Sequence, residues 1–154
     1  MCRGKAFEII NIRAKRRKPG LRPQRLAAVQ AASTISHAIA EGAGIGSQHL
    51  IFKPEDIFQG HYDFDIGTAG STTLEAQTIL PALMLANAPS SLSLQGGTHN
   101  PLAPFDFFSE AFCTLINRMG PRIGVTLERP GFSPGGGGII HVNIPPIARL
   151  LPLC

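Results

Sequence analysis

The sequence is short of charge, of paired cysteines and of long apolar runs, and each shortage removes a class of protein. Charged residues make up 16% of the 154, against about 25% in an ordinary soluble domain, which argues against a coiled coil or a highly charged disordered tail. The three cysteines, Cys2, Cys113 and Cys154, are odd in number and far apart. Neither a disulfide framework nor a CxxC metal or redox site is indicated, and a reducing compartment is expected. The longest apolar stretch, residues 79–88, contains Pro81 and is too short to span a bilayer, and no apolar core precedes the basic run near the N-terminus. The expectation is a soluble intracellular protein without a membrane partner, cytoplasmic or, in a eukaryote, nuclear.

What the chain has instead is backbone punctuation. Seventeen glycines and 13 prolines accompany a hydrophobic share of 44%, a composition that suits a turn-rich α/β or α+β protein of one domain's length. The net charge of +4 is unevenly spread: residues 1–30 hold nine Lys/Arg and one Glu, a net of +8, whereas residues 31–154 hold five Lys/Arg and nine Asp/Glu, a net of −4.

Periodicity places a strand at 7–12, then a helix from Pro23 as its first residue through Ile39, stopped by Gly42 and Gly44. Strands are expected at 48–53 and 62–66. Ser71 or Thr72 caps a helix running to about Asn87, kinked at Pro81. A strand at 91–95 precedes a loop, GGTHNPLAP, after which Asp106 or Ser109 opens a helix to Met119. Strands at 123–128 and 139–144 close the chain around PGFSPGGGG. The first strand and helix have counterparts 84 and 83 residues later, so the pattern reads as two copies of one strand–helix unit, with the leading strand and helix of the second copy lacking an equivalent in the first.

Seven basic residues, Arg13, Lys15, Arg16, Arg17, Lys18, Arg22 and Arg25, fall between a strand and the start of a helix. Guanidinium forks and a helix N-terminus suit a phosphate-rich ligand, and a solvated basic loop or a localisation signal is the plainer alternative. Residues 67–73 (GTAGSTT) also join strand to helix and could cradle an anion or form an ordinary turn; without a Lys after the glycines they are not a P-loop. Gly42, Gly44 and Gly46 read as turn residues, and Gly135 to Gly138 as a hairpin in preference to a phosphate cradle. His37, His49, His61, His99 and His141 have no metal-ligand spacing, and no Ser/His/Asp or Cys/His set emerges from residue order. Gln77, on an apolar helix, reads as a satisfied buried amide.

The strings NIRAKRRKPGLRPQ (11–24), EGAGIGSQ (41–48), IGTAGSTTLEAQTILPAL (66–83), GGTHNPLAP (96–104) and GFSPGGGGII (131–140), in this order and spacing, resemble the RNA 3′-terminal phosphate cyclase family over nearly all of the chain and about the first half of a family member. The resemblance implies tandem βαβαββ-type repeats, also seen in enolpyruvyl transferases, with residues 1–61 as an incomplete first repeat and 62–154 as the second, the insert domain and third repeat being absent. It implies ATP, with Mg or Mn, and conversion of an RNA 3′-phosphate to a 2′,3′-cyclic phosphate through a histidyl-AMP. RNA 3′ ends, not DNA, are the implied partner, together with a complementing polypeptide or another copy of the chain.

By resemblance Arg13, Arg16 and Gln24 belong to the RNA and triphosphate pocket, Gln77 contacts ATP, and Pro104 and Phe108 line the adenine site. Arg25 joins the phosphate-binding set although it stands where the family commonly has His. Pro130 likewise replaces Arg or His, and His99 replaces an acidic residue. The family's Gly-rich first strand, with its Glu and Arg, would precede Met1, and its nucleophilic histidine would lie beyond Cys154. The resemblance therefore implies no catalytic residue within this chain, and a truncated form inactive on its own. A non-catalytic RNA- or protein-binding factor of ribosome biogenesis is the second reading.

Overall fold

Apolar side chains alternate along residues 90–96 and 138–144, and in the computed structural model, which describes residues 4–67, 69–101 and 103–153, these two segments become the inner strands of a four-stranded sheet. The chain divides into two compact units, Met1–Phe58 and Gln59–Cys154.

In the first unit, β1 (Phe7–Ile9), α1 (Pro23–Ser36), β2 (Ile39–Glu41) and β3 (Leu50–Lys53) follow one another. The strands form an antiparallel sheet of order β1-β3-β2. Phe7 pairs with Phe52 and Ile9 with Leu50; Leu21, Ala31, Ala32, Ile35, Leu50 and Phe52 are the buried core. Pro23 does stand in the first turn of α1, where its missing N–H costs nothing. The helix, however, stops three residues short of Ile39. His37 takes a left-handed conformation (φ 44°) and its N–H bonds to the Ser33 carbonyl, so Ile39 enters β2 instead. Ser33 and Ser36 bond back to the carbonyls of Val29 and Ala32 at 2.9 and 2.6 Å, the local competition that disfavours helix continuation. The first strand is also shorter than expected, because Asn11 and Arg13 adopt positive φ (57° and 54°).

The second unit contains β4 (His61–Asp65), α2 (Thr72–Leu83), β5 (Ser90–Gly96), β6 (His99–Asn100), β7 (Ala103–Pro104), a π-helical segment (Phe107–Cys113), α3 (Thr114–Arg118), β8 (Gly124–Arg129) and β9 (Gly138–Ile144). Its sheet has the order β4-β5-β9-β8. β4 and β5 are parallel and joined through α2, whereas β9 is antiparallel to both of its neighbours. Leu92 opposite Val142 and Leu94 opposite Ile140 form the buried face. The order β5-β9-β8 and its antiparallel senses repeat those of β1-β3-β2.

Ser71 is the cap of α2, its hydroxyl accepting from the Leu74 N–H at 3.3 Å. The helix ends at Leu83, short of Asn87, as three-residue turns at Leu85 and Ala86 take over. Pro81 stays inside it, leaving the Gln77 carbonyl without its helical donor. The GGTHNPLAP segment contains the small β6–β7 ladder, with His99 opposite Pro104. Beyond it the helix opens in π form, with Phe108 and Cys113, five apart, its buried residues. Residues 130–137 connect the antiparallel β8 and β9, as a hairpin requires. Among the described residues no helix is long and apolar enough to cross a membrane.

Candidate functional site

Positive charge gathers where the first unit's backbone is held most firmly. The loop after β1 is closed at its base by hydrogen bonds from Gly20 N–H to the Ile12 carbonyl (2.8 Å) and from Ile12 N–H to the Gln48 carbonyl (3.0 Å). A second loop clasps it, with Leu21 N–H on the Ser47 carbonyl and Gly46 N–H on the Leu21 carbonyl, both 2.8 Å. Gly20 has φ 77°, and a Cβ there would stand 2.1 Å from the Gly46 carbonyl oxygen. Only glycine allows the approach. Gly42 and Gly46, at φ 78° and 81°, are turn residues of the clasp and form no nucleotide fingerprint.

The loop and the start of α1 enclose an open cleft of about 550 Å³ lined by Asn11, Arg13, Ala14, Lys15, Arg16 and Arg25. Three of the residues singled out in the sequence, Arg13, Arg16 and Arg25, thus share one surface. Gln24, half-buried, engages other groups and is not among the lining residues. No acidic side chain lies within salt-bridge distance of the four cleft cations among the described residues. Two carboxylates of the same unit are committed to other partners: Glu8 to His49 and Glu41 to Lys53, both at 2.6 Å, the latter pair holding Glu41 below the usual carboxylate range. Like charges so concentrated repel, and an anion with several oxygens relieves that repulsion while accepting forked hydrogen bonds.

The second unit carries the other residues. Thr73 donates to the Ala103 carbonyl at 2.8 Å; Gln77, half-buried, follows one turn later on the same flank of α2. Phe108 is fully buried and stacked on Phe112, ring centres 5.6 Å apart, so its ring is part of the core. In the 67–73 loop, Thr68 lies outside the described residues. The N–H groups of Gly67, Gly70 and Thr72 are already bonded to Asp65 Oδ1, the Gly67 carbonyl and the Gly97 carbonyl, as in an ordinary strand-to-helix turn. Cys2 and Cys154 also lie outside the described residues, and burial pushes the Cys113 thiol up to about 11.

Two features escape sequence reasoning. Glu75, 1% exposed, has no hydrogen-bond partner for either carboxylate oxygen among the described residues, and burial raises it to about 7; only its place on the apolar face of α2 could have signalled this. A Ser/His/Asp series does form, with His61 Nδ1 2.8 Å from Ser91 Oγ and His61 Nε2 3.2 Å from Asp63 Oδ2. It depends on the parallel pairing of His61 with Ser91, which residue order does not reveal. With His61 and Asp63 well exposed, water screens the series. Among the described residues no three His, Cys, Asp or Glu side chains are grouped to hold a metal ion.

A family model described as RNA 3′-terminal phosphate cyclase matches residues 1–154. Curated proteins of that name are similar throughout: one from Ectopseudomonas mendocina (strain ymp) is 53% identical over 99% of this chain and 45% of its own length. Another, from Koribacter versatilis (strain Ellin345), is 50% identical over 99% of this chain and 43% of its own length. A third, from Ralstonia nicotianae (strain ATCC BAA-1114 / GMI1000), is 51% identical over 98% and 44%. The chain spans less than half the length of these relatives.

Proposed function

Since the chain belongs to the RNA 3′-terminal phosphate cyclase family, we propose that it carries the phosphate-gripping part of an ATP-dependent enzyme that converts an RNA 3′-phosphate to a 2′,3′-cyclic phosphate. The observation behind this reading is the cleft of Arg13, Lys15, Arg16 and Arg25, four cations without acidic partners among the described residues, carried by a loop braced by glycine contacts and by the start of α1. ATP supplies the leaving group that makes an otherwise inert phosphate reactive. The chain's own residues orient the RNA phosphate through guanidinium forks and offset its charge. Gln77 and Pro104 are proposed as the nucleotide-facing pair. Mg or Mn is proposed to arrive on the phosphates of ATP.

Binding of 3′-phosphorylated single-stranded RNA is expected to weaken with salt, with a log–log slope near −0.7 for each phosphate contact. Arg13→Ala or Arg16→Ala should reduce that slope by about one contact and weaken binding about tenfold. Affinity that is the same at low and high salt would sink the reading.

A further inference from the structure

Phe132 is a large aromatic ring held out from the connection between β8 and β9, with 59% of its surface exposed. It does not hang freely. The ring stacks on His99 with centres 5.1 Å apart and planes 23° from parallel. His99 is itself fixed, its Nδ1 2.7 Å from Thr98 Oγ1 and its Nε2 3.8 Å from Asp106 Oδ2.

The backbone beneath the pair is equally constrained. The N–H groups of Thr98 and His99 both reach the Gly131 carbonyl, at 2.9 and 3.2 Å, while Gly131 N–H returns a bond to Thr98 Oγ1 at 2.9 Å. On the other side of Phe132, Gly136 N–H bonds to the Phe132 carbonyl at 2.7 Å. A Cβ on Gly131 would stand 2.3 Å from the Gly138 nitrogen and 2.5 Å from the Gly96 carbonyl oxygen, so only glycine lets the backbone segments at the loop root approach this closely. Arg129 closes the same loop through Nε on the Gly137 carbonyl at 2.7 Å. No acidic partner holds that guanidinium among the described residues.

We propose that the Phe132–His99 stack is a platform for one unpaired nucleobase of the bound RNA, with Arg129 drawing in the adjoining phosphate. A rigid aromatic face together with a cation free of acidic partners is the combination by which single-stranded nucleic acids are held without reading sequence. Rigidity matters, since a ring already fixed by its neighbours loses little freedom when a base covers it. The proposal rests on the RNA reading proposed above and gives the second unit a site for a base.

The test compares two probes of equal length, a 3′-phosphorylated single-stranded RNA and its abasic counterpart, by fluorescence anisotropy against the wild-type chain, Phe132→Ala and Phe132→Trp. Phe132→Ala is expected to weaken the normal RNA roughly five- to hundredfold, with the abasic probe unaffected and the salt slope unchanged. Phe132→Trp should keep wild-type affinity, and the exposed position should leave the unfolding midpoint of all three proteins the same. Unchanged affinity for normal RNA in Phe132→Ala, or an equal loss on the abasic probe, overturns the platform while leaving the cleft standing. Failure of the wild-type chain to bind either probe overturns both.

Discussion

Glu75 shows what a single side chain can do to the stability of this molecule. Its folded-state carboxyl is raised from the ordinary 4.5 to about 7 by burial. Below the lower value both folded and unfolded chains hold the proton, and ionisation of the residue costs nothing. As pH rises from there, the unfolded chain ionises first and stability falls, levelling off above the folded value at a penalty of about 3 kcal/mol. Glu75→Gln, which mimics the neutral acid, should therefore match the wild-type melting temperature near pH 4 and exceed it by several degrees at pH 8. Identical melting curves at both pH values would refute the assignment. Arg25 illustrates the other side of residue-scale reading. Its place in the cleft follows from a short loop and the first turn of a helix, both local in sequence, and so its grouping with Arg13 and Arg16 was legible from spacing alone.

Elements were legible at their starts and less so at their ends. Pro23 and Ser71 announce α1 and α2 because helix N-termini depend on the chemistry of one or two residues. Removing the cap tests this directly: Ser71→Ala should cost about 1 kcal/mol in denaturant unfolding, more than a surface substitution at Thr78. The end of α1 was hidden, because Ile35 and Ile39 keep helical spacing while the left-handed turn at His37 leaves no mark on periodicity. The Ser91, His61 and Asp63 series was hidden for a different reason. It depends on which strands lie side by side, a property of the folded sheet and not of any window of sequence. Gln77 sits between these cases: its helix could be read, but that the same flank, one turn earlier, bonds through Thr73 to the Ala103 carbonyl could not.

For the whole molecule, the sheet of the first unit ends on β1, where Phe7 and Ile9 remain 41% and 42% exposed, and Ile10 just beyond is 63% exposed. An outer strand with apolar neighbours invites pairing between chains. Sedimentation of the wild-type chain should show association that grows with concentration, and Ile10→Lys should shift it toward monomer; a wild-type monomer at every concentration would contradict this. The five histidines give a second molecule-wide expectation. His49, His61, His99 and His141 each lie beside a carboxylate and His37 stacks on Phe58, and none matches the family's nucleophile by resemblance. Incubation of the 154-residue polypeptide with ATP labelled on the α-phosphate should leave it unlabelled, and a covalent label on any histidine would refute that.

The order β4-β5-β9-β8 also bears on how the chain emerges from the ribosome. The first unit's strands all lie before Pro54, so that sheet can zip as soon as its short stretch is made. β5 must wait for β9, about 50 residues later, which at roughly 5–20 residues per second is a delay of several seconds. Through that interval Leu92 and Leu94 have no β9 to cover their open edge. The second unit is thus the part whose yield should respond to the pace of translation and to chaperones that shield nascent strands.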